Sequence, residues 1–414
     1  MFLRKIDERI KIIFLILLLL FVFIILRVFY VQMIDYKKLN KYASDLWSRD
    51  LPLEADRGLI LDRNGVVLAD NLTTTSLVLI PNQIKDKKKT TTLLADILGV
   101  SYDEMKEHVF KETSIERVHP EGRRLSYDIA EKIADLKLDG VYLVKEAKRY
   151  YPYGNMLSHS LGYVGIDNQG LSGLELQYDD YLTGKSGAIK YFSDAKGNKL
   201  NLSDIYVEPQ DGMNISLTID INIQKSLERE LDNVVDMFSP DMALAIVMDP
   251  NNGEILGIAS RPDYDPNNYQ DYTQEVLSRN LPIWASYEPG STFKIITTSA
   301  AVEEGVVDLN EDHFYDAGSV NVDGSTLRCW KAGGHGEQTF LQVLQNSCNP
   351  GFVKMGQLLG KETLFDYIDK FGFGEKTGVD LNGEGKGIIF NLDQVGNVEL
   401  ATTAFGQGVS VTPI

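Results

Sequence analysis

Cysteine is nearly missing, with two in 414 residues, and that excludes a disulfide-stapled scaffold of the kind small secreted domains use. Proline (13) and glycine (35) are too few for a collagen-like repeat or a low-complexity tether. Positive charge is also short: 41 Lys and Arg stand against 59 Asp and Glu, a net charge of -18. A phosphate backbone demands a basic patch, and none occurs along the chain, so nucleic acid is excluded as a partner. Histidine occurs five times. His159, set between serines, has no second ligand at metal spacing and reads as a packing or surface residue. With no phosphate-cradling glycine loop either, the sequence implies no cofactor and no metal.

What is present is 43% hydrophobic residues, enough to bury real cores, in a length that suggests two or three domains at roughly 150 residues each. Every residue from Ile12 to Leu26 is apolar, and on to Val31 only Arg27 interrupts. At about 1.5 Å per residue this helix would span roughly 30 Å, a bilayer core. Tyr30, Gln32, Met33 and Tyr36 follow it in place of a small-residue cleavage site, so an uncleaved anchor is expected over 12–31. Arg4, Lys5, Arg9 and Lys11 precede the span and Lys37, Lys38 and Lys41 follow it, a modest bias toward a cytoplasmic tail at 1–11. The bulk of the chain is then extracytoplasmic and held at the cell membrane by a single pass.

Beyond the anchor, 32–210 reads as an irregular α+β module, and 211–414 as a second domain that opens an antiparallel sheet and continues mainly in helices. Gly58–Ala69 spells two short strands about an Asp-Arg-Asn-Gly turn. Helices are expected at Thr91–Leu98 and Tyr127–Leu136. Ser216–Asp220 should lead into a helix from Ile223 to about Val235. Met242–Met248 and Glu254–Ser260 form a hairpin across Asp249–Gly253. Helices follow at Ser291–Glu304, Gln338–Gln345 and Gly351–Leu359.

The chemistry lies in this second part. Ser291-Thr292-Phe293-Lys294 begins a predicted helix, and the i, i+3 spacing sets a hydroxyl and an amine on one face. Serine is a poor nucleophile without a base in reach, and a desolvated lysine can serve as one. The helix N-terminus offers backbone N–H groups to a developing oxyanion. Ser347-Cys348-Asn349 falls between two predicted helices, where a loop could bring a hydroxyl and an amide to the same place. Ser193–Lys196 repeats the first pattern in a polar stretch and reads as a solvated loop. Ser278-Arg279-Asn280 repeats the second but precedes the nucleophile. Order, spacing and setting select Ser291, Lys294, Ser347 and Asn349.

These motifs, together with Arg57-Gly58, Asp62–Gly65, Gly173-Leu174-Glu175, Thr218-Ile219-Asp220 with Gln224, Asp249-Pro250, Gly253-Glu254 and Glu288-Pro289-Gly290, resemble the class B penicillin-binding proteins, the single-pass membrane transpeptidases of peptidoglycan. His335-Gly336 and Gln338–Phe352 look most like the sporulation-type members, and a vegetative division enzyme of the class is the alternative. The resemblance implies a membrane-anchored α+β protein: an α+β pedestal or dimerisation-like domain, then the first part of a transpeptidase domain like that of serine β-lactamases. It implies that Ser291 is acylated by a stem peptide with loss of the terminal D-alanine. Lys294 would be the base, Ser347 a proton relay, and Asn349, with Cys348 beside it, would contact substrate. Implied partners are peptidoglycan stem peptides derived from lipid II, β-lactams, the membrane, and a SEDS-type glycosyltransferase met through the anchor.

Two departures stand out. The third family motif, Lys-Thr/Ser-Gly on a strand, is expected beyond residue 414. Lys376-Thr377-Gly378 follows Phe371–Gly374 too early and reads as a structural loop, so the catalytic domain is expected to be incomplete and the isolated chain inactive. Cys348 is the middle residue of Ser-x-Asn. It and Cys329 are candidates for a redox pair, as a disulfide or as two buried free thiols. Two other readings stay open: a serine protein that hydrolyses or senses β-lactams, and a catalytically silent membrane scaffold.

Overall fold

The computed structural model describes residues 2–39, 48–113, 115–192 and 205–414. The decoy motif at 193–196 lies outside the described residues. The chain divides into two compact units. One takes in Met1–Asp56, Leu72–Lys148 and Gly184–Asp211, the other Arg57–Asn71, Arg149–Thr183 and Gly212–Ile414.

The first unit opens with one continuous helix, Phe2–Met33. Within it Phe14–Met33 is long and apolar enough to cross a membrane, and the side chains of Phe14–Leu26 are exposed. Three antiparallel strands follow, Ser48–Leu53 and Ile205–Val207 flanking Gly187–Phe192. Helices Lys87–Leu98, Tyr102–Val109 and Tyr127–Asp135 gather Leu94, Met105, Val109 and Ile133 around Leu77, Leu79 and Val118. The first of these begins a turn earlier than its apolar residues suggest, because Asp86 caps it by accepting from the Lys89 N–H.

In the second unit the Asp-Arg-Asn-Gly turn is made as expected. Ile60–Leu61 pairs antiparallel with Val67–Ala69, and Asp62 Oδ1 accepts from the backbone N–H groups of Asn64 and Val66, at 2.8 Å each. The other oxygen of Asp62 accepts from Ile221 N–H at 3.2 Å, which ties the turn to the start of helix Ile221–Phe238. Asp220 caps that helix, and Gln224 on its first turn exchanges two hydrogen bonds with the backbone of Ile258. The helix therefore lies along the hairpin Ala243–Met248/Ile255–Arg261, whose turn closes through Gly253 at φ +77°.

Arg57 and Glu175, which stand far apart in sequence, meet in the interior. Arg57 Nε donates to Glu175 Oε2 at 2.6 Å and its Nη1 to Asp179 at 2.6 Å. Arg149 Nε donates to the second Glu175 oxygen at 2.6 Å, and the Tyr151 hydroxyl lies 3.2 Å from that oxygen. A carboxylate buried between two guanidinium groups is tolerable only while all its partners remain. Glu175→Ala strands both arginines. Thermal denaturation should show it destabilised by about 3–5 kcal/mol, while Arg229→Ala, which removes the exposed Arg229–Glu230 pair, leaves the melting temperature unchanged.

The largest core of this unit lies under helices Lys294–Glu303, Asn349–Leu359, Lys361–Lys370 and Asn397–Thr403, around Phe293, Ala300, Phe352, Met355, Ile368 and Phe405. Short antiparallel pairs, His313–Asp316 with Gly336–Thr339 and Ser319–Val322 with Ser325–Arg328, close one side of it.

Candidate active site

Ser291 lies in a 3-10 turn, Gly290–Phe293, and the α-helix begins only at Lys294. The expected single helix is thus split. The tighter turn eclipses residues three apart and leaves Ser291 exposed above a buried Lys294. The lysine is 1% exposed, at the head of a helix packed on the core. The 56-residue separation of the two serines is closed by the Asn349–Leu359 helix packing against the Lys294–Glu303 helix.

Lys294 Nζ donates to three acceptors: Asn349 Oδ1 at 2.7 Å, Ser347 Oγ at 2.9 Å and the Ser347 carbonyl at 2.9 Å. Ser347 Oγ lies 3.0 Å from Ser291 Oγ. The four residues selected from sequence are therefore one connected chain, with Ser347 as the link between the nucleophile and the amine. The three acceptors match the three N–H bonds of an ammonium. Burial disfavours that charge, however, and brings the Lys294 pKa down to about 8, partly offset by the neighbouring Cys348 and Cys329 sulfurs. The neutral amine has a lone pair to fill. Since hydroxyl protons rotate freely, losing the proton reverses the chain: Ser291 donates to Ser347 and Ser347 donates to Lys294.

The loop is held in a costly conformation. Ser347 has φ +51°, a left-handed backbone worth on the order of 1–3 kcal/mol of strain for a residue with a Cβ. It is retained by the N–H groups of Ser347 and Cys348, which close on the Leu344 and Val343 carbonyls, and by Trp330 Nε1, which donates to Asn346 O at 2.8 Å. Asn349 Nδ2 donates to Arg328 O at 3.3 Å.

Cys348 does not face the site. Its side chain is fully buried and its sulfur donates to Asp316 Oδ2 at 3.3 Å, which corrects the expectation that it contacts substrate. As the residue before the helix it points into the core while its two neighbours point out. Cys329 is also buried, and both thiols are free. The expectation of no metal-ligand cluster is corrected too. Among the described residues, Asp316, Cys329, His335 and Cys348 bring one donor atom each within 4.8 Å of one another. Cys329 and His335 share one connection between strands, while Asp316 and Cys348 come from two other segments, so spacing along the chain does not announce the group.

The decoys resolve by position. Lys376-Thr377-Gly378 lies in a loop, where the Thr377 hydroxyl and N–H both donate to Glu384 Oε1 at 2.6 Å. The Asn280 amide is turned to His159 O, 3.5 Å away. His159 is half-buried edge-on to Tyr264, with Nε2 at 2.9 Å from Val276 O, a packing residue.

Segment 404–411 backs the nucleophile turn and carries no sequence signal beyond its glycines. Gly290 N–H donates to Gly406 O at 2.9 Å, Gly408 N–H to Glu288 Oε1 at 2.9 Å, and Thr297 Oγ1 to Ala404 O at 2.8 Å.

Two family models match the chain. The penicillin binding protein transpeptidase domain matches residues 243–414, and the penicillin-binding protein dimerisation domain matches 52–217. The chain belongs to the class B penicillin-binding proteins. It is 53% identical over 413 residues to stage V sporulation protein D of Bacillus subtilis (strain 168), covering 99% of this chain and 64% of that protein. To the peptidoglycan D,D-transpeptidase FtsI of Escherichia coli (strain K12) it is 30% identical over 409 residues, 96% of this chain and 67% of that one. The crystal structure of penicillin binding protein 2X from Streptococcus thermophilus matches with a TM-score of 0.69 at 27% identity, over 88% of this chain and 58% of that chain. The chain thus spans less than two thirds of the length of the first relative and of that structure.

A Cβ at Gly406, where φ is +80°, would meet Gly290 O at 2.0 Å, whereas one at Gly305 (φ +64°) meets nothing. Gly305→Ala should cost about 1–2 kcal/mol from backbone strain alone. Gly406→Ala should cost clearly more, read as a larger drop in melting temperature.

Proposed function

We propose that this chain is the acylating part of a peptidoglycan D,D-transpeptidase that cross-links stem peptides in cell-wall, septal or spore-cortex synthesis. The observation that carries the reading is the buried Lys294 amine, joined to Ser291 through the Ser347 hydroxyl. With Lys294 neutral, the Ser291 proton passes to Ser347 Oγ as Ser347 gives its own to Nζ, and Ser291 Oγ attacks the carbonyl of the penultimate D-alanine. The tetrahedral adduct collapses by breaking the bond to the terminal D-alanine, whose nitrogen takes the proton back from Lys294. An amine from a neighbouring stem then attacks the acyl-enzyme, forms the cross-link and frees Ser291. Asn349 has its Oδ1 on Lys294 and gives one amide N–H to Arg328 O, and its other amide N–H holds the substrate amide. A β-lactam acylates the same serine but keeps its leaving nitrogen tethered, so the acyl-enzyme persists.

The cationic tail at 1–11 lies in the cytoplasm, the anchor crosses the membrane once, and the residues from 32 onward work outside it on lipid II-derived glycan. The 53% identity to a sporulation protein supports the sporulation-type branch of the class. A SEDS-type glycosyltransferase partner meets the anchor.

Fluorescent penicillin applied to the protein in membranes should label the native chain and not Ser291→Ala. Equal labelling of both, or no label in a membrane-inserted full-length form, overturns the acyl-enzyme reading. The rate has a defined pH dependence. The active amine is the deprotonated one, so penicillin acylation should rise about tenfold per pH unit below the Lys294 pKa of about 8 and level off above it. A flat profile from pH 6 to 9, measured in stopped time courses, excludes Lys294 as the base.

A further inference from the structure

Beside the serine site, and on the inner side of its loop, lies a second constellation that the transpeptidase reading does not use. His335 Nδ1 is 3.0 Å from Asp316 Oδ2 and 3.4 Å from Cys329 Sγ, and Cys348 Sγ is 3.3 Å from the same Asp316 oxygen. The edges of a tetrahedral zinc site built from Zn–N, Zn–O and Zn–S bonds are about 3.3–3.8 Å. Three of the six donor–donor distances are thus at or just below those edges, and all six lie within 4.8 Å. The group is closed to solvent: the Asp316 side chain is 0% exposed and that of His335 6%.

Gln338 Nε2 and His335 Nε2 are each buried here with no hydrogen-bond partner. Buried polar groups are normally paired, so these two mark a place that the protein's own groups do not satisfy.

We propose that Asp316, Cys329, His335 and Cys348 bind one zinc-class divalent cation in a closed, four-coordinate structural site that pins the Ser347–Asn349 loop from behind. Binding releases the two thiol protons to solvent, and the imidazole keeps its single proton at Nε2. Two thiolates, a carboxylate and the dication leave one net negative charge. Cys348 lies between the strained Ser347 and Asn349, so a bond to its sulfur fixes both neighbours. The site is independent of the transpeptidase reading, because its test reads metal and not turnover.

The full chain, purified in detergent under reducing, anaerobic conditions and equilibrated with zinc, should carry about one zinc per chain after desalting. Cobalt substitution should give an intense near-ultraviolet thiolate band and the visible bands of tetrahedral Co2+. Both thiols should resist a disulfide reagent until a chelator is added. Cys329→Ser and His335→Ala should each lower zinc retention at least tenfold. Retention below a tenth of an equivalent in the native chain, an octahedral cobalt spectrum, or thiols equally reactive with and without zinc overturns the site. The cobalt and thiol measurements use the native chain, so they decide the matter even where a variant fails to fold.

Discussion

The burial of one amine organises the active region. Lys294 starts a helix that packs into the largest core and is itself buried, so its ammonium loses water that only protein acceptors can replace. All three acceptors come from Ser347 and Asn349. The lysine therefore dictates where that loop must lie, and the loop meets the demand with a left-handed serine. The same contacts set Ser347 Oγ against Ser291. The contacts that satisfy the buried amine are the ones that reach the Ser291 hydroxyl, so the proposed proton path needs no direct bond between Ser291 and Lys294.

The sequence motifs outside this site have structural reasons of their own. Arg57 and Glu175 form a buried ion network with Arg149 and Asp179. Asp62 joins a hairpin turn to the N-terminus of a helix, and Gln224 completes the backbone bonding of the strand beneath that helix. Each is a polar group placed where backbone or charge would otherwise stay unsatisfied, and removing any one leaves its partners exposed to that cost.

Much of the candidate site was legible because its parts are local. Ser291 and Lys294 are one turn apart, and Ser347 and Asn349 flank a helix start marked by Pro350. The hairpins were legible from Asn-Gly and Asp-Pro-Asn-Asn-Gly, where positive φ requires glycine. The misreadings arose where a residue's surroundings come from elsewhere in the chain. The helix at Ser291 is split because Gly290 is held by Gly406. Gln338 belongs to a strand because it pairs with Phe314. Cys348 faces Asp316, not the substrate side.

By itself the sequence marked the apolar span and the candidate pairs Ser291/Lys294 and Ser347/Asn349, because composition and short-range spacing carry those features. Only the tertiary structure decided which acceptors surround Lys294, what backs the Ser291 turn, and that two cysteines, a histidine and an aspartate converge behind the loop. Those depend on desolvation and on contacts between segments tens of residues apart, and neither quantity is written in local pattern.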